Sequence, residues 1–156
     1  MKFDLPFIIA EIGINHDGNY SVAKKLIKLA KKGGADAVKF QLFKPGDLYL
    51  KNSKNYKLLS KFCLNEKIIQ KLRDYSRKLK IKFFCTAFSD SGVDFLKSIN
   101  VDALKIASMD NLNHSLISKC LKTNKPIIIS TGMLNKKDLK KILRKYFKNK
   151  NIYFLH

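Results

Sequence analysis

Residues 103–108, Ala-Leu-Lys-Ile-Ala-Ser, form a short apolar run that ends on side chains able to bind or react. Five similar runs occur elsewhere in the chain, at residues 7–12, 37–41, 82–86, 127–132 and 151–156. Segments with helical spacing of apolar residues separate the runs, so the order is βαβαβαβαβαβ. This alternation predicts an α/β fold in which parallel strands are joined by crossover helices.

The positions of the polar residues favour one of two such folds. In a doubly wound sheet, functional residues gather at one switch point between two strands. Here they follow nearly every run, as they do at the C-terminal rim of a TIM-type (β/α) barrel. A complete barrel has eight βα units and about 250 residues, whereas these 156 residues supply six strands and five crossover helices. We therefore expect residues 1–156 to form an incomplete barrel domain with two unpaired sheet edges.

One connection stands out by its length. Residues 42–63 separate the second run from the helical stripe of Ile68, Ile69, Leu72, Tyr75 and Leu79. We predict that this segment is irregular, because it shows no sustained periodicity. A long loop at a barrel rim is usually functional.

The composition argues against several classes of partner. The net charge is +20, but only three of the 32 basic residues are arginine and no nucleic-acid motif accompanies them, so we expect no specific nucleic-acid partner. Three cysteines without a CxxC pair predict neither a disulfide framework nor a zinc site. With no secretory signal and no membrane-spanning run expected, the sequence predicts a cytoplasmic protein with no membrane partner.

Two lysines are the most informative polar residues. Lys39 and Lys105 each lie inside an apolar strand. Pointing outward, either would be desolvated beneath the helices. Pointing inward, the two cations would form an anion-binding floor, or one could act as a Schiff-base nucleophile with a lowered pKa. The alternative is that each lysine merely extends its ammonium group to solvent at a strand end.

A carboxylate and several hydroxyl groups accompany these lysines. Glu11 interrupts the first apolar run, where it is either a buried glutamate paired with a neighbouring lysine or a functional carboxylate; a polar turn, Asn15-His16-Asp17-Gly18, follows it. Hydroxyl groups follow three successive strands, and Gly132 allows backbone to approach a ligand. With the two lysines they predict a phosphate or carboxylate cradle; they are Thr86, Ser108, Ser130 and Thr131.

Four segments together resemble the sialic acid synthase family, which comprises the N-acetylneuraminate synthases and their legionaminate and pseudaminate relatives. They are residues 10–18 (AEIGINHDG), 34–41 (GADAVKFQ), 105–108 (KIAS) and 130–133 (STGM). The resemblance implies a barrel enzyme that condenses phosphoenolpyruvate with an N-acylated amino sugar aldehyde and releases phosphate. It also implies a divalent metal, Mn²⁺ or Mg²⁺, and a homodimer.

The resemblance also implies roles for individual residues. Glu11 and Asp110 fall on positions near the reacting centre, although many members carry Glu where this chain has Asp110. Gln41 falls near the sugar substrate. The metal-binding histidines lie beyond residue 156, as do two phosphate contacts and an antifreeze-like domain, so no metal ligand is assigned within this chain. The positions that hold phosphoenolpyruvate are Lys39, Thr86, Lys105, Ser108 and Ser130.

Two other interpretations remain open at the level of sequence. The first is a Schiff-base aldolase on the same barrel, with Lys105 or Lys39 as the nucleophile. The second is an inactive truncated product, or one half of a split enzyme that pairs with a complementary C-terminal piece. We expect the 156 residues alone not to catalyse the condensation.

Overall fold

The computed structural model describes residues 6–156 and contains one parallel sheet of six strands. The strands lie side by side in sequence order, so the sheet curls as an arc of a barrel. This confirms the predicted barrel topology and excludes the strand order of a doubly wound sheet. The strands are β1 (Ile9–Gly13), β2 (Ala37–Leu42), β3 (Lys82–Ala87), β4 (Ala103–Ile106), β5 (Ile127–Ser130) and β6 (Ile152–Leu155).

Five crossover helices connect successive strands, as predicted, and two short helices interrupt the long connection after β2. Residues 42–63 are therefore not irregular throughout. The short helices bury no residue, so they have no apolar stripe by which a sequence pattern could reveal them. The helices are α1 (Tyr20–Lys32), α2 (Pro45–Leu48), α3 (Lys54–Ser60), α4 (Glu66–Lys78), α5 (Asp90–Ser98), α6 (His114–Leu121) and α7 (Lys136–Tyr146).

The crossover helices pack on one face of the sheet. Alternate strand residues such as Phe40, Phe83 and Ile129 are fully buried beneath them in the main hydrophobic core. Side-chain amides and hydroxyls cap the N-termini of all these helices except α2; Asn135, for example, accepts from the Asp138 backbone N–H. The helix layer therefore shields one face and leaves the opposite, concave face for other contacts.

Two layers of side chains line the concave face. The lower layer is apolar, and residues Phe7, Ile9, Phe84, Ala103 and Ile128 contribute to a hollow of about 470 Å³. Side chains on one face of a strand recur every second residue, so the residue two positions later on each strand lies above this layer. These later residues are all polar: Glu11 after Ile9, Lys39 after Ala37, Thr86 after Phe84, Lys105 after Ala103 and Ser130 after Ile128.

Within residues 6–156, the structure contains no helix that is both long enough and apolar enough to cross a membrane.

The two faces of β5 should differ in their contribution to stability. Ile129 is fully buried under the helices, and we expect Ile129→Ala to lower the free energy of unfolding by about 2–5 kcal/mol. The adjacent Ile128 is only half-buried, on the concave face, so Ile128→Ala should cost less than half as much. Urea unfolding of both variants measures the difference, and equal losses would contradict the assignment of the two faces.

Candidate active site

Five polar residues form one cluster on the concave face, which we call the polar layer: Glu11, Lys39, Thr86, Lys105 and Ser130. Parallel pairing brings them together, because Glu11 is the register partner of Lys39 and Thr86 is the register partner of Lys105. Thr86 and Ser130 lie at the C-terminal ends of their strands, and the other three lie near the middle. The sequence thus sets the position of the layer through strand register alone.

Lys39 is the best-paired member of the polar layer. Its Nζ atom lies 2.6 Å from Glu11 Oε2 and donates a hydrogen bond to Thr86 Oγ1 at 3.3 Å. The Lys39 side chain is 10% exposed, whereas that of Glu11 is 55% exposed. The Lys39 ammonium group is therefore held by side chains from the two neighbouring strands, β1 and β3. The Glu11 carboxylate is more exposed and faces the open part of the concave surface.

Among residues 6–156, no carboxylate lies within hydrogen-bond distance of Lys105. Its Nζ atom donates to Ser130 Oγ and to the Ile106 carbonyl oxygen, both at 2.6 Å. Burial, together with the positive charge of Lys39, lowers the pKa of Lys105 to about 8, and the Glu11 charge opposes the shift. At neutral pH the site therefore contains a second, incompletely neutralised cation.

Ser108 approaches the polar layer through a close contact that only glycine permits. It begins the 3₁₀ turn Ser108–Asp110, directly after β4. A Cβ atom on Gly132 would lie 2.8 Å from Ser108 Oγ, closer than real side chains come. Gly132 therefore lets the turn after β5, which directly follows Ser130, lie against the Ser108 hydroxyl.

The structure places the other two predicted site residues at different distances from the polar layer. Gln41 is half-buried. A Cβ atom added to Gly13 would lie 3.5 Å from Glu11 Oε1 and 3.8 Å from Gln41 Nε2, so the two side chains flank Gly13 at the rim. Asp110 is half-exposed in the 3₁₀ turn. Its carboxylate forms no hydrogen bond or ion pair within residues 6–156, so it is not joined to the lysines.

Two polar residues singled out in the sequence do not join the cradle. The Thr131 hydroxyl donates to the Leu155 carbonyl oxygen and lies 3.1 Å from His156 Nδ1. It points away from Ser130, because consecutive residues of an extended segment face opposite ways; including it in the cradle was wrong. His16 is buried, accepts from the Gly18 backbone N–H and stacks on Phe40, and burial lowers its pKa. It has a structural place in the turn.

Sequence reasoning missed Asn111. This residue is 3% exposed, and its Nδ2 atom donates to the carbonyl oxygens of Ser130 and Gly132. Asparagine in a turn is so common that its identity alone carries no signal. Asn111 follows the segment 105–108 (KIAS), and its side chain bonds to the segment 130–133 (STGM). Its role becomes evident only from the contact between these two segments.

A larger cleft of about 660 Å³ lies at the same end of the sheet, outside the polar layer. It separates the segment after β2 from the beginnings of α4 and α5. Its charged lining residues are Lys44, Asp47, Glu66 and Lys67, whose charges balance. The polar layer, with two cations and one anion, is therefore the stronger candidate for an anionic ligand.

The residues of this chain do not fit a divalent-metal site. Within residues 6–156, no group of three or more His, Cys, Asp or Glu side chains lies close enough to hold a metal ion. Glu11 is engaged with Lys39, and His16 Nδ1 is engaged with Gly18. The arrangement instead suits an anion that carries two charged groups, because two ammonium groups and several hydroxyls converge on one concave surface.

Comparisons with known proteins agree with the fold and with the four sequence segments. A solved N-acetylneuraminic acid (sialic acid) synthetase from Leptospira borgpetersenii superposes with a TM-score of 0.91 at 30% identity, over 98% of this chain and 54% of that chain. An N,N'-diacetyllegionaminic acid synthase from Legionella pneumophila is 38% identical over 148 residues, which are 86% of this chain and 42% of that protein. An uncharacterized protein of Methanocaldococcus jannaschii is 44% identical over 132 residues, covering 85% and 39%.

The chain thus spans about half the length, or less, of the relatives it matches. The family model described as the NeuB family matches residues 26–156, most of the chain. The sequence resemblance is thereby confirmed: the chain belongs to the NeuB family, the family of sialic acid synthases and their legionaminic and pseudaminic acid relatives.

Proposed function

We propose that this chain forms the phosphoenolpyruvate-binding part of a condensing synthase that makes a nonulosonic, sialic-type acid. The second substrate is an N-acylated amino sugar aldehyde, and phosphate is released. One observation carries the proposal: in a chain of this family, two lysine ammonium groups lie with hydroxyl groups on one concave face. Phosphoenolpyruvate carries a carboxylate and a phosphate, which require two such cations.

In the proposed reaction, the methylene carbon of the enolpyruvate attacks the aldehyde carbon and forms a C–C bond. The aldehyde oxygen becomes a hydroxyl group by taking up a proton. Water adds to the cationic C2 of the former enolpyruvate and loses one proton, which leaves a hydroxyl group on C2. The C2–O bond to phosphate then breaks while this hydroxyl group passes its proton to the departing phosphate, and the 2-keto acid remains. Phosphate is the leaving group, so the step requires no oxidant or reductant.

Residues of the polar layer supply binding and proton handling in this scheme. Lys39 and Lys105 neutralise the carboxylate and phosphate, and Thr86, Ser108 and Ser130 donate hydrogen bonds to their oxygens. Glu11 would exchange a proton with the aldehyde oxygen or the added water, because its carboxylate is exposed beside Lys39. Asp110 would serve as the second carboxylate, and Gln41 would contact the sugar at the rim.

The family resemblance implies a divalent metal whose ligands lie beyond residue 156. Since the residues of this chain do not form such a site, no step is assigned to a metal here. The complete enzyme is proposed to be a cytoplasmic homodimer. Because the matched relatives are about twice as long, we propose that turnover also needs the remaining barrel units, in the same chain or in a complementary piece.

One observation favours a second candidate function. A lysine with a pKa of about 8 is partly neutral at physiological pH, as a Schiff-base nucleophile must be. Lys105 could then attack the carbonyl group of a keto acid and form an imine with loss of water. The two functions differ in whether a covalent bond to the enzyme forms.

Removal of either cation should weaken ligand binding. We expect Lys39→Ala and Lys105→Ala each to raise the Kd for phosphoenolpyruvate at least tenfold, about 1.4 kcal/mol, the scale of one lost charge-assisted contact. NMR titration of the isotope-labelled chain measures these affinities, and circular dichroism verifies the fold. Lys97→Ala, which removes an exposed charge on α5, is the matched control. Affinities unchanged in both site variants would refute the proposal.

Binding should also depend on pH through Lys105. As the pH rises from 7 to 9 this amine loses its charge, since its pKa is about 8, and the Kd should rise about tenfold. The Lys105→Ala variant should show a flat profile over this range. A wild-type profile as flat as that of the variant would show that the Lys105 charge is not used.

The same shift predicts a change in stability. The pKa of Lys105 falls from 10.5 in the unfolded chain to about 8 in the folded chain, so the unfolded state binds more protons between these values. The contribution of Lys105 to stability therefore rises with pH across this window. The difference in free energy of unfolding between the wild type and Lys105→Met gives the Lys105 contribution separately from that of the titrating cysteines.

Borohydride trapping separates the two candidate functions. We expect no covalent adduct when the chain is incubated with pyruvate and sodium borohydride, because the synthase reaction forms no imine. Intact-mass spectrometry is the readout, and a known Schiff-base aldolase treated in parallel verifies the trapping. An adduct that appears in wild type and disappears in Lys105→Ala would establish the aldolase instead.

A further inference from the structure

Asn111 connects the two segments that carry Ser108 and Ser130. It lies directly after the 3₁₀ turn Ser108–Asp110, and its side chain reaches residues 19 and 21 positions further along the chain. The Asn111 Nδ2 atom donates to the Ser130 carbonyl oxygen at 3.2 Å and to the Gly132 carbonyl oxygen at 2.8 Å. Both partners are acceptors, so only the NH₂ end of the amide can make these bonds.

We propose that Asn111 is a positioning residue, which fixes the Ser130 and Ser108 hydroxyls relative to Lys105 for binding of an oxyanion. The inference rests on the proposed function, because the oxyanion is the phosphate or carboxylate of phosphoenolpyruvate. Asn111 contacts no reacting atom in this scheme. It acts through the backbone of the turn after β5.

The two hydrogen bonds determine where that turn lies. They end on carbonyl groups two residues apart, so the amide holds the Ser130–Gly132 segment at two points. Ser130 is also the residue whose hydroxyl lies 2.6 Å from Lys105 Nζ. A shift of this backbone would therefore move the hydroxyl away from the ammonium group and leave Lys105 with one fewer partner.

Gly132 allows the same turn to lie close to Ser108. A Cβ added at this position would be 2.8 Å from Ser108 Oγ, so a larger residue would displace the turn or the Ser108 side chain. The two hydrogen bonds of Asn111 hold the turn in this position. The segments that carry the Ser108 and Ser130 hydroxyls are thereby held next to each other, as preorganised binding of an oxyanion requires.

A purely structural role is the competing explanation, since any buried amide needs hydrogen-bond partners. Asn113 offers a matched comparison two residues away. It caps α6 by accepting from the Leu116 backbone N–H and makes no contact with the turn after β5. Loss of Asn113 should weaken the fold without altering the polar layer, whereas loss of Asn111 should alter the polar layer itself.

The experiment compares Asn111→Ala, Asn111→Asp and Asn113→Ala in the full 156-residue chain. Asn111→Asp keeps the size of the side chain but replaces the donor with an acceptor that repels both carbonyl groups. It therefore remains informative if the alanine variant fails to fold. The Kd for phosphoenolpyruvate is measured by NMR titration, with Lys105→Ala as the reference for a lost contact.

We expect both Asn111 variants to raise the Kd at least fivefold and to shift the Lys105 side-chain resonances. The Thr131 amide, which donates to the Leu155 carbonyl oxygen, should exchange its hydrogen at least tenfold faster than in Asn113→Ala. Asn113→Ala should keep the wild-type Kd and Lys105 resonances.

Either of two results would overturn this inference without contradicting the proposed function. They are wild-type affinity in both Asn111 variants, or equal losses of affinity in Asn111→Ala and Asn113→Ala. A wild-type chain that does not bind phosphoenolpyruvate would contradict the proposed function, and this inference with it.

Discussion

Two buried ammonium groups on one face of the sheet are the constraint around which the site is arranged. Removing a lysine charge from water is unfavourable unless polar groups or an opposite charge replace the lost hydration. Glu11 and Thr86 do this for Lys39, and Ser130 with the Ile106 carbonyl does it for Lys105. These groups do not fully replace the hydration of Lys105, and its pKa is lowered as a result. An anionic ligand with two charged groups would supply the missing negative charge. The excess positive charge that is unfavourable in the free site therefore favours binding.

The positive charge of the surface, like the excess positive charge at the site, attracts anions. About half of the lysines lie on the crossover helices, nearly all of them exposed, and the formal net charge is +20. A field of that sign concentrates small anions near the molecule and raises their association rate without selecting among them. Selection then depends on the few charges that are buried. A strongly basic chain therefore need not bind nucleic acid. Its lysines are dispersed over the surface, and among the lysines of residues 6–156 only Lys39 and Lys105 are buried.

Much of the fold and part of the site could be predicted because the two-residue period of a strand is a local property of the sequence, and the alternation of strands and helices indicates parallel pairing. The apolar residue followed two positions later by a polar one occurs on five strands, so residues such as Lys39 and Lys105 fall in one layer once the strands are parallel. Features that depend on contacts between turns could not be predicted. Thr131 belongs to the same motif as Ser130 but faces β6, and Asn111 gains its importance from backbone atoms about twenty residues away. The short helices α2 and α3 bury no residues, so no periodicity marks them.

The apolar layer beneath the lysines is as important to the chemistry as the polar residues. Ile9, Phe84, Ala103 and Ile128 form an apolar floor on the lower side of the polar layer, and apolar surroundings strengthen each electrostatic contact above them. Phe7 and Tyr153 line the same hollow but remain half-exposed, near the two edges of the described sheet, β1 and β6. Exposed apolar surface beside unpaired strand edges is unfavourable in water and favours coverage by further strands. Such coverage would also enclose the open side of Lys39 and Lys105. The same contacts would then bury the exposed apolar surface and strengthen the binding of an anion.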